Sequence, residues 1–306
     1  MSHFLILLAT FNGERFLDEQ IQSIKDQTVD QVSILVSDDG STDRTLSILR
    51  RWQKIWDKGD FTVVKGPKKG FEENFRSLII KAEPSYDLYA FCDQDDVWMA
   101  EKLADASECL GQFGADTYAM LCGRTKLINE NGSTVGYSPE MRVEPNFKNA
   151  LVQSIAGANT MVFNCKTLKL LKTVSANASF VSHDWWTYLW VTGAGGTVVY
   201  EGVPKILYRQ HESNIIGSNS GLSSRLVRVR KILDGVFRRW TDRNLDGLSL
   251  SSSYLTEQNR ALVRNIVRAR QRSSLRYFFF LVQNKIHRQT TLGNISLLVA
   301  AIFGKI

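Results

Sequence analysis

The stretch Phe91-Cys92-Asp93-Gln94-Asp95-Asp96-Val97-Trp98 places three carboxylates within four residues, directly behind the apolar run Leu88-Tyr89-Ala90-Phe91-Cys92. A short apolar run of this kind reads as a buried strand. A strand that empties into such a cluster offers oxygen ligands to a hard cation: Mg²⁺ is usually held by one or two protein carboxylates plus substrate phosphates, and Mn²⁺ suits the same donors. The segment therefore points to diphosphate chemistry. An acidic turn capping a helix from Trp98 to Leu110 accounts for the same residues, since Asp is a common N-cap, and the rest of the chain has to decide between the two.

Upstream of this cluster, short apolar runs alternate with amphipathic stretches, the signature of an α/β sheet with helices on its faces. Phe4 to Ala9 is the first predicted strand, and Glu14 to Gln27 reads as a helix because Leu17, Ile21 and Ile24 recur at helical spacing. Val32 to Ser37 is the second strand, ending in the turn chemistry of Asp38-Asp39-Gly40-Ser41-Thr42-Asp43 before a helix through Leu46, Leu49 and Trp52. Phe61 to Val64 is a short third strand, followed by Gly66-Pro67-Lys68-Lys69-Gly70 and a helix over Glu72 to Lys81; Tyr86 to Cys92 is the fourth. Ligands of open α/β sheets bind beyond the carboxyl ends of the strands. Thr10 to Gly13, Asp38 to Thr42 and Asp93 to Asp96 all fall at such ends.

Downstream the pattern is less regular. Tyr118 to Ile128 reads as a strand entering an Asn129-Glu130-Asn131-Gly132 turn, and Gly157 to Phe163 as another. His183-Asp184-Trp185-Trp186 opens a helix to about Val191, Thr197 to Tyr200 is a strand, and Ile206 to His211 a short strand or extended loop. After Gly217 a Ser/Gly/Asn run, Ser218 to Ser224, is linker-like. Two basic helices follow, about Arg225 to Trp240 and Glu257 to Lys285, joined by the polar stretch Asn244 to Ser253.

The 306 residues, 43% hydrophobic and 10% aromatic, suit one elaborate globular domain or two. Cys92, Cys109, Cys122 and Cys165 show no CxxC spacing and no histidines placed for zinc, which fits a reducing cytoplasm. Phe4 to Ala9 lacks the basic leader and cleavage site of a signal peptide. Leu292 to Phe303 is too short to span a bilayer, which takes about 20 residues. The net charge of +7 joins unlike parts: residues 1–221 hold 22 Lys+Arg against 27 Asp+Glu, whereas residues 222–288 hold 15 against 4. A block of that sign is a surface for anions.

Taken together, Ala9-Thr10-Phe11-Asn12-Gly13, Ser37 to Asp43, Asp93-Gln94-Asp95-Asp96 and His183-Asp184-Trp185 resemble, in order over about residues 3 to 217, family 2 glycosyltransferases of the GT-A fold. The likeness is closest to bacterial rhamnosyltransferase-like members that build surface polysaccharides such as O-antigen, on the strings Phe91 to Trp98 and Tyr208-Arg209-Gln210-His211. It implies an α/β fold with a mixed sheet flanked by helices over residues 1–217, and a basic helical appendage over 218–306. It also implies an inverting transferase that moves a sugar from a dTDP- or UDP-linked donor to a saccharide acceptor, lipid-linked or free.

In that picture Ala9, Thr10 and Asn12 line the nucleotide, and Asp39 accepts the N3–H of a uracil or thymine ring. Asn74 belongs to the donor site; Lys68, Lys69 and Arg76 flank it and would either reach the donor phosphates or form a solvated basic face, and Arg209 also contributes to phosphate binding. Asp93 and Asp95 hold Mg²⁺ or Mn²⁺ with Asp95 the direct ligand, Asp96 is structural, and His211 contacts the metal or the diphosphate. Asp184 is the general base, in a position where many relatives have Glu-Asp rather than His183-Asp184. Plainer roles exist for each: helix caps for Thr10, Asn12 and Asp184, Asx-turns for Asp38, Asp39 and Asp43, a surface histidine for His211, and core packing for Trp185, Trp186 and Trp190. The processive synthases' Q-x-x-R-W string is missing, so polymer extrusion is not expected.

Arg225, Arg228, Lys231, Arg239, Arg260, Arg264, Arg268, Arg272 and Arg276 recur every three or four residues within the two basic helices, with apolar residues between. That pattern matches helices lying in a membrane interface, so a peripheral position on the inner face of the plasma membrane is expected. Packing on the catalytic domain or on a second subunit would use the same faces. Nucleic acid is not expected, because RNA-binding, zinc and helix-turn-helix signatures are missing. Two other functions compete: a sugar-phosphate nucleotidyltransferase, disfavoured because no glycine-rich basic loop follows the first strand, and a non-catalytic lipid- or nucleic-acid-binding protein on the same fold.

Overall fold

Strands covered on both faces by helices read as unbroken apolar runs, and three of them form the centre of the computed structural model, which describes residues 2–211 and 234–306. In β1 (Phe4–Thr10), β2 (Val32–Asp38) and β4 (Leu88–Cys92) every residue but Ala9 is buried. β1 lies between β2 and β4, parallel to both, and β3 (Phe61–Lys65) extends the parallel block. β9 (Val162–Asn164) joins β4 in antiparallel fashion and is followed by β6 (Ala119–Gly123) and β10 (Thr197–Glu201), giving seven strands in the order β10-β6-β9-β4-β1-β2-β3. The order reverses between β1 and β4, the switch point at which such sheets bind ligands. Helices α1 (Leu17–Lys25), α2 (Thr45–Ile55), α3 (Phe71–Lys81), α4 (Lys102–Gly111) and α6 (Cys165–Ser175) flank this sheet. A four-stranded sheet in the order β5-β11-β7-β8 is made of β5 (Val97–Trp98), β7 (Lys126–Ile128), β8 (Thr134–Tyr137) and β11 (Ile206–Arg209).

The expected mixed α/β sheet is therefore present, with local departures. Val97 and Trp98 do not begin a helix: they pair with Leu207 and Ile206 of β11. The helix starts at Lys102, and its N-cap Glu101 makes no side-chain bond, so the acidic cluster does not cap it. Tyr118 to Ile128 breaks at Arg124 and Thr125 into two strands of different sheets, where Arg124 N donates to Glu201 O (2.9 Å) and Arg124 Nε to Ser138 O (2.8 Å). Gly157 to Phe163 holds a 3₁₀ turn, Ala158–Thr160, ahead of β9.

The expected boundary after residue 217 lies outside the described residues, and upstream of it the two compact units alternate along the sequence. One compact unit takes residues 2–140, 156–176 and 199–211; the other takes 141–155, 177–198 and 234–306. The physical reason lies in α7 (His183–Gly193), ten of whose eleven residues are buried. A helix apolar all round needs cover on every side, and within its unit the cover comes from both directions along the chain. Upstream, Trp185 Nε1 donates to Ala150 O (2.6 Å) and Tyr188 Oη to Asn146 O (3.1 Å), at the two ends of α5 (Phe147–Ala150). Downstream, a Cβ added at Gly247, in α8 (Val236–Leu250), would stand 2.6 Å from the Trp186 ring, and Asn259 Nδ2, in α9 (Glu257–Arg272), donates to Gly193 O (3.0 Å).

The C-terminal elements also depart from expectation. Most of the supposedly polar connection Asn244 to Ser253 is the end of α8, and the long helix Glu257 to Lys285 breaks at Ser273, whose extended backbone (φ −170°) separates α9 from α10 (Ser274–Gln283) and whose Oγ accepts from Arg276 N. The apolar end of the chain is a further helix, α11 (Thr291–Ile302). Among the described residues no helix is long and apolar enough to cross a membrane. The linker Ser218 to Ser224 and the basic positions Arg225, Arg228 and Lys231 lie outside the described residues.

Candidate active site

At the carboxyl ends of β1, β2 and β4 the loops answer one another's polar groups. Thr10 is buried, its hydroxyl donating to Asp38 Oδ2 (3.0 Å); Asp38 also accepts from Gly40 N, Ser41 N and Ser41 Oγ, the expected Asx-turn. Asn12 sits at φ +47° and bridges two loops: its N–H donates to Ser41 Oγ (2.9 Å) and its Oδ1 accepts from Thr42 N (2.9 Å). Gln94, a residue the motif reading passed over, clamps the backbone of Phe11 from both sides: Phe11 N donates to its Oε1 (2.8 Å) and its Nε2 donates to Phe11 O (3.0 Å). Gly13 makes room for that clamp, since an added Cβ would lie 2.3 Å from Gln94 Oε1. Phe11 itself keeps 55% of its surface exposed, and Ala9 is half-buried beside Ser37 of β2.

Asp39, expected to meet a pyrimidine, accepts Lys68 N (2.6 Å) and Gly70 N (2.9 Å), and so ties the loop after β3 to the end of β2. An ionised carboxylate has about four lone-pair sites, so two remain. Asn74 is buried, its Nδ2 donating to Ser37 O (2.9 Å) while its Oδ1 has no partner among the described residues. Arg76, read as a neighbour of the phosphates, instead binds the last carbonyls of α6: Nε donates to Ser175 O (2.8 Å) and Nη2 to Ala176 O (2.5 Å).

The acidic cluster divides by burial. Asp96 is fully buried; its carboxylate accepts Asn159 Nδ2 (2.5 Å) and Arg209 N (3.2 Å), and burial, aided by the charges of Asp95 and Asp93, holds its pKa well above the usual range. Asp95 is part-exposed and faces His211, with Nε2 2.8 Å from Oδ2. Beneath this pair lies Arg209, 2% exposed, donating from Nε to Asp95 O (3.1 Å), from Nη1 to Glu130 O (3.0 Å) and from Nη2 to Glu19 Oε2 (2.6 Å), with its guanidinium over the Phe16 ring. A buried guanidinium has to be answered by protein groups, and this one is. Arg209 is thus a brace under Asp95 and not, in this structure, an open phosphate ligand.

A carboxylate facing an imidazole nitrogen, as Asp95 faces His211, is a donor pair that suits Mn²⁺ and Mg²⁺. Among the described residues no group of three or more His, Cys, Asp or Glu side chains could hold an ion unaided. The Asp95–His211 pair offers two donors of that kind, and an ion there would need its other ligands from elsewhere.

Asp184 belongs to the other unit. It is not the N-cap of its helix, which is Ser182, but lies in the first turn. It is half-buried; burial raises its pKa above the usual carboxylate value, outweighing the hydrogen bonds of Ser182, the Trp185 N–H and Ser154, whose Oγ donates to Oδ2 (3.1 Å), and Oδ1 is buried without a close partner. His183 beside it is buried, which pushes its pKa down to about 3 and keeps the ring neutral. Trp185, Trp186 and Trp190 are core residues. Sequence reading missed Gln94, Glu19, Asn159 and Ser154. Only Gln94 carried a signal, as the lone amide within an acidic string.

The model of "Glycosyl transferase family 2" matches residues 5–177. The chain is 26% identical over 276 residues to dTDP-rhamnosyl transferase RfbG of Shigella flexneri, covering 86% of this chain and 91% of that protein. It is 28% identical over 194 residues to the GalNAc(5)-diNAcBac-PP-undecaprenol beta-1,3-glucosyltransferase of Campylobacter jejuni, covering 62% of this chain and 59% of that protein. Among solved structures, S. aureus TarS 1–349 superposes with a TM-score of 0.55 at 16% identity, over 85% of this chain and 69% of that one; its complex with UDP-GlcNAc gives 0.54 at 17%, over 99% and 90%. The mannosyltransferase PcManGT from Pyrobaculum calidifontis, solved with GDP-Man and Mn²⁺, gives 0.50 at 15%, over 99% and 87%. These structural likenesses establish the GT-A fold.

Proposed function

The chain belongs to glycosyl transferase family 2, and on that premise we propose that it is an inverting transferase moving rhamnose or another hexose from a dTDP- or UDP-linked donor to a saccharide acceptor in cell-surface polysaccharide synthesis. The observation that carries this reading is Asp184: a carboxyl whose burial raises its pKa against the hydrogen bonds of Ser182, Trp185 and Ser154, with Oδ1 lacking a close partner. A general base works best when its pKa lies near the working pH, and burial moves Asp184 in that direction. An acceptor hydroxyl reaching Oδ1 would supply the missing hydrogen bond and hand over its proton as its oxygen attacks the anomeric carbon.

The strand-end loops provide the donor site. The spare lone pairs of Asp39 take the N3–H of the base, the exposed ring of Phe11 offers a platform for it, and Ala9, Thr10, Asn12 and Asn74 shape the surrounding loops. Asp93, Asp95 and His211 would hold Mn²⁺ or Mg²⁺, with Arg209 fixing the backbone of Asp95 from below. A metal bound there supplies Lewis-acid stabilisation of the charge that gathers on the departing nucleoside diphosphate. The likeness to RfbG, whose name specifies a dTDP-rhamnosyl donor, supports dTDP-rhamnose; the undecaprenol-linked substrate in the name of the Campylobacter relative supports a lipid-linked acceptor and a place on the cytoplasmic membrane face.

A panel of dTDP- and UDP-sugars, incubated with the full chain and Mn²⁺ or EDTA, tests the reading. Release of nucleoside diphosphate that EDTA and Asp95→Asn both suppress is the expected result. Release of pyrophosphate would point to nucleotidyl transfer instead, and nucleotide affinity indifferent to metal, without turnover, would leave only a binding protein.

A further inference from the structure

The membrane-facing surface was expected on the arginine stripe of the basic helices. Arg260, Arg264, Arg268 and Arg272 do share an exposed face of α9, but Arg260 is spent on the carbonyls of Ser252, Ser253 and Leu255. The apolar partner of that charge lies elsewhere, on α10 and α11.

These two helices are antiparallel. The end of α11 returns to the start of α10, where a Cβ added at Gly304 would lie 2.8 Å from Ser274 Oγ. Each helix buries one apolar face, through Tyr277 and Leu281 on α10 and through Leu297, Ala300 and Ala301 on α11. Each also exposes a second apolar face. Leu275, Phe279 and Val282 stand at i, i+4 and i+7 on α10; Leu292, Ile295, Val299 and Ile302 stand at i, i+3, i+7 and i+10 on α11, which Phe303 extends. Leu292 is 70% exposed and Phe303 72%. Soluble monomers scatter their exposed apolar side chains and do not concentrate them on one hairpin.

Charge decides what covers this face. Residues 258–306 contain nine Lys+Arg and no Asp or Glu, and Arg272, Arg276 and Lys285 are exposed at the ends of α9 and α10. A second copy of the chain docking face to face would bring two such basic sets together, which like-charge repulsion opposes. An anionic lipid surface complements the same charge. Length agrees: the 12 residues of α11 rise about 18 Å, well short of the roughly 30 Å hydrocarbon layer, so the helix can lie in the headgroup boundary and cannot cross.

We infer that α10 and α11 form an interfacial hairpin whose apolar face enters the headgroup boundary of an anionic bilayer, with the arginines of α9 and α10 as its electrostatic collar. The inference sharpens the membrane part of the proposed function. Its deciding readout, vesicle binding, needs no sugar donor, so the two can fail separately.

The full chain is sedimented with vesicles of phosphatidylcholine alone and of phosphatidylcholine mixed with phosphatidylglycerol. Binding is expected to be at least tenfold tighter to the anionic vesicles and to weaken with added salt. The triple variant Phe279→Ser, Val299→Ser, Phe303→Ser is expected to lose tenfold or more of that affinity while releasing nucleoside diphosphate from donor at the wild-type rate. Leu292→Asn, a milder change at the most open part of α11, keeps the test valid should the triple variant fold poorly, and is expected to weaken binding severalfold. Equal binding by wild type and Leu292→Asn, or no preference of wild type for anionic vesicles, would overturn the inference. So would a concentration-dependent dimer in sedimentation velocity that the apolar substitutions dissolve.

Discussion

Asp38 and Asp184 are both carboxylates beside loops, yet their surroundings are opposite. Asp38 accepts four hydrogen bonds from Thr10, Gly40 and Ser41, whereas at Asp184 burial outweighs the hydrogen bonds of Ser182, Trp185 and Ser154, and Oδ1 has no close partner. The first arrangement spends a charge on architecture: it locks the ends of β1 and β2 before any ligand arrives, and preorganised loops lower the entropy cost of binding. The second keeps a charge uncomfortable, so that a proton is welcome there. The balance between burial and nearby donors thus distinguishes Asp184 from Asp38.

The sharpest way to break that contrast is to make the same substitution at both positions. Asp184→Asn removes the proposed base, and transfer should fall by about 10²- to 10⁴-fold, with donor affinity measured by titration unchanged. Its thermal midpoint should rise. A carboxyl whose pKa is raised by folding contributes stability that is full below its unfolded value near 3.8 and is lost as pH rises through the folded value, so at neutral pH the wild type carries a cost that the amide does not. Asp38→Asn should do the reverse, turning an NH₂ toward groups that donate and costing about 1–3 kcal/mol, seen as a lower midpoint. A falling midpoint for both variants would erase the distinction drawn between them.

A smaller effect is expected at the clamp between the first loop and the acidic cluster. The clash of Gly13→Ala is with the far end of a flexible side chain, so Gln94 can swing aside and surrender its two bonds to Phe11. Gly13→Ala and Gln94→Ala should therefore weaken donor binding by similar severalfold factors, and the double variant should be little worse than either one. Additive losses in that cycle would show that Gly13 acts through something other than Gln94.

The sheet was legible because β1, β2 and β4 are apolar on both faces, and a chain of such runs has few alternatives. Asp38 was legible as a turn from the Gly40 and Ser41 that follow it. The helical unit was not. Whether α7 belongs with the strands before it or with helices some sixty residues later depends on packing around Trp186 and Gly193, and local periodicity carries no trace of such distant contacts. The break at Ser273 was hidden because Arg and Leu on either side sustain a helical pattern through it. The Gln94 clamp was hidden for another reason: a side chain that binds a distant backbone leaves no matching residue to find.

The least effect, and the finest probe of the α7 region, comes from His183. Burial holds its pKa at about 3, below the unfolded value near 6.5, so the stability it permits is full above pH 6.5 and is lost as pH falls toward 3, by roughly 1.4 kcal/mol per unit at most. Asp184 next to it works in the opposite sense, because its raised pKa adds stability as pH falls. The two slopes partly cancel in the wild type. Urea unfolding as pH falls from 6.5 toward 3.8 should therefore show an acid loss that His183→Gln flattens, and toward the lower end of that window a steeper loss in Asp184→Asn than in the wild type. An identical pH slope in all three proteins would mean that the first turn of α7 admits water, and the raised pKa on which Asp184 depends as a base would lose its physical cause.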